Sequence, residues 1–340
     1  MDASYERERQ RISVRRRFLL KLMLYILAVT GVLVVALCYY VTQPIWGIRS
    51  TSSDTSVDPS RLEAHVRTLS ERMAPRDASN LRNLDFVAAY IREELEKSGA
   101  RTREQPYQAG NRTYRNVIAT FGPETKEIIV VGAHYDAAGP YPGADDNASG
   151  VAGIIELAQL LGKTNLPVKV ELVTYSLEEP PFFRSEYMGS AVHARALKKE
   201  GAVVRAMIVV EMIGYFSDAP GSQRFPAPGL RLFYPSQGNF ICVVGRMGEA
   251  MLVRRIKRSM LEASSLPVYS INVPRSVPGI DLSDHMNYWE EGYPSVMITD
   301  TAFFRNPNYH TAADTAEKLD YEKMAQVVLG VYAAVKDLAR

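Results

Sequence analysis

Apolar residues along this chain follow two rhythms. Short unbroken runs occupy residues 127–132 (EIIVVG), 168–176 (VKVELVTYS), 206–210 (AMIVV) and 295–299 (SVMIT). They are strand-length, and each is followed by polar residues. Elsewhere apolar positions recur every three or four residues, which predicts helices over 61–73, 80–97, 151–161, 190–200, 249–263 and 321–338. The second of these runs into Ser98-Gly99, a helix-stop signal. Continuous apolar strands alternating with helices imply an α/β fold, a mostly parallel central sheet flanked by helices on both faces. The longest irregular stretch, 214–239, is loaded with Pro, Gly and aromatics and begins three residues after Glu211. It is expected to overhang the ligand crevice as a lid and to set substrate preference.

One apolar segment follows neither rhythm. Residues 22–41 contain no charge and are long enough to cross a hydrocarbon layer of ~30 Å. Arg15, Arg16, Arg17 and Lys21 precede the segment; Tyr39, Tyr40 and Trp46 stand at its far end. That polarity predicts one transmembrane helix with its N-terminus cytoplasmic and the rest periplasmic or extracellular. A cleaved signal peptide is the competing reading, but no Ala-x-Ala site comes after it. The chain divides accordingly into a basic stretch 1–21, an anchor 22–41, a Ser/Thr/Pro-rich linker 42–60 expected to be flexible, and one catalytic domain 61–340.

Charge narrows the function. The chain carries 40 basic and 38 acidic residues, of which residues 1–21 hold seven and three. The remainder is therefore slightly acidic, and nothing points to nucleic acid. Of two cysteines, Cys38 lies in the anchor and Cys242 in a strand-like apolar run, which makes an intrachain disulfide improbable. Asn111-Arg112-Thr113 matches a glycosylation pattern that is common by chance.

The strand ends hold the chemistry. In open α/β sheets ligands bind outside the carboxyl ends of the strands. Here those ends deliver His134, Glu178-Glu179, Glu211 and, after a short loop, His310. A carboxylate-rich loop, Gly143-Ala144-Asp145-Asp146-Asn147-Ala148-Ser149-Gly150, joins the His134 strand to the next helix. Imidazole and carboxylate suit Zn²⁺, and five ligands fit two ions about 3.5–4 Å apart sharing one carboxylate. Asp146 is the expected bridge. Asp136, two residues beyond His134, is expected to orient that imidazole through its other ring nitrogen.

In the order HYD, GADDNASG, EE, EMIG and YHT, these segments resemble the zinc-dependent aminopeptidase family that also contains the glutaminyl cyclases. The resemblance spans roughly residue 61 to the C-terminus. It implies one zinc held by His134, Asp146 and Glu211 and a second held by Asp146, Glu179 and His310. It further implies Glu178 as general base, Tyr309 as a stabiliser of the oxyanion, and a cis peptide at Asp146–Asn147. The implied activity is hydrolysis of N-terminal residues from peptides; a one-zinc glutaminyl cyclase is the alternative. A non-catalytic ectodomain fits less well, because all six positions are kept. The chain departs from the family after Glu179, where Pro180-Pro181-Phe182-Phe183-Arg184 is expected to bring aromatics and a cation near the site. Asp145 reads as a hydrogen-bonding loop residue rather than a ligand. His65 and His193 lie in helical stretches and read as structural; His285 is either a pocket residue or a helix-start residue. Oligomeric state is not legible.

Overall fold

A computed structural model describes residues 3–48, 50 and 55–340. In chain order the elements are α1 (Ala3–Thr42), α2 (Pro59–Arg67) with a π-helical turn over Thr68–Arg72, α3 (Leu81–Glu96), β1 (Arg101–Ala109), β2 (Arg112–Phe121) and β3 (Glu127–His134). After the turn Ala144–Ser149 come α4 (Gly150–Leu161), β4 (Lys169–Tyr175), α5 (Gly189–Lys199) and β5 (Val203–Glu211). The chain closes with β6 (Ile241–Arg246), α6 (Ala250–Ala263), β7 (Val268–Val273), α7 (His285–Glu290), β8 (Ser295–Thr299) and α8 (Tyr321–Leu338).

The four apolar runs form the centre of an eight-stranded sheet ordered β1-β2-β4-β3-β5-β8-β6-β7. Neighbours within β4-β3-β5-β8 are parallel. Alternation along each strand fills both faces. On β3, Ile129, Val131 and Ala133 join the core beneath α4 and α8, while Ile128 and Val130 join the core that includes Ala194 of α5 and Tyr288 of α7. Such strands have no polar side, which is why their sequences read as unbroken apolar runs.

The sheet is mixed at its edges. β1 and β2 form an antiparallel hairpin, β2 runs antiparallel to β4, and β6 antiparallel to β8. β1 (RTREQPYQA) is an exposed edge strand whose polar sequence carries no strand signal. Its hairpin turns at Gly110, with φ +60°, and Asn111, which is the residue of the glycosylation pattern. Cys242 is buried in β6, as its apolar run suggests.

Register sets the site. His134 pairs with Tyr175 across β3 and β4, and Glu211 with Thr299 across β5 and β8. The four parallel strands therefore end nearly level, so side chains just beyond them meet at one edge. α1 covers both the apolar segment and the basic stretch before it, and is long and apolar enough to be a candidate membrane span. The linker after it is held at its start, where Lys257 donates to the carbonyls of Thr42 and Gln43.

Candidate metal centre

Two three-residue groups of metal-ligand type come together at this edge: His134, Asp146 and Glu211, and Asp146, Glu179 and His310. His134 Nε2 lies 3.4 Å from both Asp146 Oδ1 and Glu211 Oε1. His310 Nε2 lies 3.1 Å from Asp146 Oδ2 and 3.2 Å from Glu179 Oε2. The two oxygens of Asp146 thus face different histidines. Glu178 belongs to neither group, yet its Oε2 is 4.0 Å from His134 Nε2.

The loop carrying Asp146 is over-determined. Gly143 has φ +57°, and a Cβ there would lie 2.2 Å from the Asp146 carbonyl oxygen, so only glycine fits. The Asp146–Asn147 bond is cis. Asn147 Nδ2 donates to the Val210 carbonyl at 2.9 Å, and its Oδ1 accepts from Gly150 N and Met212 N. This ties the loop to the end of β5. Asp145 points away from the cage, accepting from Gly214 N and Asn306 Nδ2.

Asp136 holds the site differently from the sequence expectation. His134 Nδ1 donates to the Asp136 backbone carbonyl at 3.1 Å, while the nearer carboxylate oxygen stands at 3.6 Å. That carboxylate accepts instead from the backbone N–H groups of Glu178 (3.1 Å) and Glu179 (3.0 Å). Leu177, with φ +63°, turns the chain sharply after β4, and the two exposed amides need an acceptor. Asp136 supplies both oxygens.

Several fastening residues carry no signal in the sequence. Asp314 accepts from Asp145 N and Asp146 N at 3.0 and 3.1 Å. Ser283 Oγ donates to Glu211 Oε2 at 2.6 Å. Asp284 is fully buried, and burial first, then Glu211 and Asp136 against the opposing pull of His134, lifts its carboxyl to about 7. Arg76, also fully buried, donates to the carbonyls of Leu69, Tyr135, Pro142 and Gly143 at 2.7–3.0 Å. It therefore clamps the loop that presents Asp146. Arg76→Ala is expected to strip four buried carbonyls of their donor and lower stability by ~3 kcal/mol or more, read as a shift in the urea midpoint.

The structure also places the remaining expected residues. Tyr309 stacks on His310, ring centroids 3.7 Å apart, and lines an apolar cavity that Glu211 borders. The loop between β5 and β6 supplies Phe225, Leu230 and Tyr234 to that cavity. The Pro180–Arg184 segment does not line it. Phe182 packs edge-on against Tyr114 and Tyr187, and Arg184 reaches Asp281 at 2.9 Å. His65 bonds to Tyr90 and His193 to Tyr288 and Glu171, both structural. His285 begins α7 and donates to the Ile280 carbonyl at 2.7 Å; burial holds it neutral, down to about 4.

The electrostatics call for cations. Burial and the neighbouring Glu179 and Glu211 push Glu178 well above the usual carboxylate range, against the pull of His134. Burial and Asp146 lift Glu179 to about 7. Burial opposes charge on His310, yet its bonds to Asp146 and Glu179 raise it to about 10. Glu179 Oε1 has no hydrogen-bond partner among the described residues. A buried cluster with this excess of carboxylate and an orphaned oxygen fits hard, positively charged ligands.

The model of peptidase family M28 matches residues 116–335. The chain is 48% identical over 294 residues to the uncharacterized protein YfbL of Escherichia coli (strain K12), covering 84% of this chain and 90% of that protein. It is 26% identical over 261 residues to leucine aminopeptidase 1 of Metarhizium robertsii, covering 72% of this chain but 60% of that relative's length. Among solved structures, BSAP, a zinc aminopeptidase from Bacillus subtilis, superposes with a TM-score of 0.67 at 15% identity, covering 83% of this chain and 95% of that one. That last likeness speaks to the fold.

Proposed function

Because the chain belongs to peptidase family M28, and is thereby a metal-dependent hydrolase, we propose that it is a membrane-anchored aminopeptidase with a two-zinc centre. In this reading His134, Asp146 and Glu211 hold one ion, and Asp146, Glu179 and His310 the other. The observation that carries it is the division of the Asp146 oxygens between His134 and His310. Zinc bound there supplies Lewis acidity, lowering the pKa of water and polarising a scissile carbonyl.

The remaining work falls to side chains. Glu178 lies 4.0 Å from His134 Nε2 and outside both ligand groups, so in this reading it takes the water proton and passes it to the leaving amine. Its buried setting raises its proton affinity above that of an ordinary carboxylate, the direction a general base requires. Asp136 fixes Glu178 and Glu179 through their backbone amides. Tyr309, held by its stack on His310, donates to the developing oxyanion. A free substrate α-amine meets carboxylates at the site floor, and the side chain beside it enters the apolar cavity. The outcome is exopeptidase action on N-terminal residues.

α1 is read as the anchor, N-terminus inside, supported by Arg15–Arg17 before the apolar segment and Tyr39, Tyr40 and Trp46 after it. A panel of aminoacyl, glutaminyl and dipeptide substrates tests the whole reading. Release of free N-terminal residues, abolished by chelator and restored by zinc, is the expected result. Pyroglutamate formation in its place would make the chain a cyclase, and no metal-dependent turnover would make it a binding domain. Deleting 226–232, the tip of the loop between β5 and β6, is expected to raise KM for apolar substrates roughly tenfold, the scale of one lost apolar contact. Metal content should stay unchanged; its loss would refute the lid role.

A further inference from the structure

α1 does not leave the catalytic domain on a loose hinge. The last carbonyls of a helix lack intrahelical donors, and here the domain supplies them. Lys257 Nζ, on α6, donates to the carbonyls of Thr42 and Gln43, each at 3.0 Å, and Ser270 Oγ, on β7, donates to Thr42 at 2.9 Å. Arg254 donates to the Pro44 carbonyl at 3.1 Å, with its guanidinium 5.6 Å from the Tyr39 ring centre. Gly248 N donates to the Tyr40 hydroxyl at 3.2 Å. Together these hydrogen bonds hold the helix exit.

Those contacts fix which surface stands at the level of the exit. Tyr39 and Tyr40 end the apolar segment, where interfacial aromatics sit. Gly248, just ahead of α6, meets Tyr40; Met247 is its neighbour in the chain, and Met251 (79% exposed) shares a helix face with Arg254, three residues on, which holds Pro44. The lid is tied to the same place, because Tyr234 donates to the carbonyl of Ser270, the residue whose hydroxyl holds Thr42. Next to Tyr234 are Phe233 and Leu232, the latter 82% exposed. Trp46, 77% exposed, stands 6.4 Å from Tyr39 between ring centres. Single exposed apolar residues are ordinary; five large ones around a membrane-helix exit form a patch.

We propose that Trp46, Leu232, Phe233, Met247 and Met251 are seated in the interfacial layer of the bilayer that α1 crosses. This rests on the reading of α1 as an anchor. The occupant is lipid, because these residues adjoin the contacts that hold the end of the apolar helix, and Arg231 and Arg254, next to Leu232 in the chain and one turn beyond Met251, suit headgroup phosphates. The lid, and with it one wall of the substrate cavity, is thereby held at the membrane surface.

The test uses the full chain in phosphatidylcholine nanodiscs, with Cys38→Ser as background. Cys242 does not interfere, since it is buried and its thiol is pushed up to about 12. An environment-sensitive fluorophore is placed on Leu232→Cys, Met251→Cys, Leu33→Cys within the anchor, or Glu93→Cys on α3, which packs at the β1–β2 edge of the sheet, opposite the β7 edge that α1 meets. Labels at 232 and 251 are expected to lose fluorescence to lipids bearing a shallow quencher and to be shielded from iodide, unlike the label at 93. If they behave like the label at 93 while the label at 33 is quenched by lipid, the domain stands clear of the bilayer and the proposal fails alone. If the label at 33 is also untouched by lipid quenchers, the anchor reading fails and the proposal with it.

Discussion

Glu178→Gln is expected to lower kcat by roughly 10²–10⁴-fold, the usual contribution of a positioned general base, with bound metal unchanged. The substitution is nearly isosteric and removes only the proton acceptor. Neither proposed ligand group contains Glu178, so ion affinity should survive. Its backbone amide, not its carboxylate, is held by Asp136, so the turn should survive too. KM should move little, because the side chain acts on the reacting water rather than on the substrate's apolar residue. Elemental analysis beside steady-state kinetics checks both halves. Retained turnover would remove Glu178 from the base role; lost metal would make it a ligand instead. Asp136→Asn is the instructive comparison, since one amide partner would face an N–H and the turn bearing both glutamates should loosen.

Most of this candidate site could be read from the sequence because its proposed ligands end strands. His134, Glu211 and the Glu178–Glu179 pair each come directly after an apolar run buried on both faces, and parallel strands that end level must gather the side chains at their exits. The fastening shell could not be read this way. Arg76, Ser283, Asp284 and Asp314 lie in loops, where no periodicity predicts which distant backbone a side chain will meet. Asp136 illustrates the limit. Its spacing from His134 suggested a carboxylate–imidazole bond, but the positive φ of Leu177 creates two amides that claim the carboxylate first. The docked helix exit was hidden for the same reason, since Lys257 is separated from Thr42 by 215 positions. The edge strands escaped because β1 alternates exposed and half-buried polar residues rather than hiding a face.

Stripping the metal should cost the protein much of its stability, increasingly so as pH rises. Ions that bind the folded state alone stabilise it by RT ln(1 + [L]/Kd), ~4 kcal/mol at a thousandfold excess over Kd. For a domain of this size that is a melting shift of roughly 10 °C. The pH dependence originates in the bare cage. Burial and Asp146 raise Glu179 to about 7, and burial with Glu211 and Asp136 raises Asp284 to about 7, both above their unfolded values. Groups raised in this way stabilise the fold below their unfolded pKa and lose that contribution as pH climbs through the folded one. His310, raised to about 10 by Asp146 and Glu179 despite burial, adds a contribution that fades only at higher pH. Asp146 is held low by His134 and His310 despite burial, so its contribution fails only in strong acid. The chelated protein should therefore melt progressively lower between pH 6 and pH 8. The loaded protein should do the reverse, because binding requires deprotonated ligands. Calorimetry across that range, with and without zinc, should show a gap that widens with pH. Asp146→Ala, which removes the shared oxygens, should close the gap at every pH. A gap that stays constant, or that persists in Asp146→Ala, would mean the stabilising ion sits somewhere other than this cage.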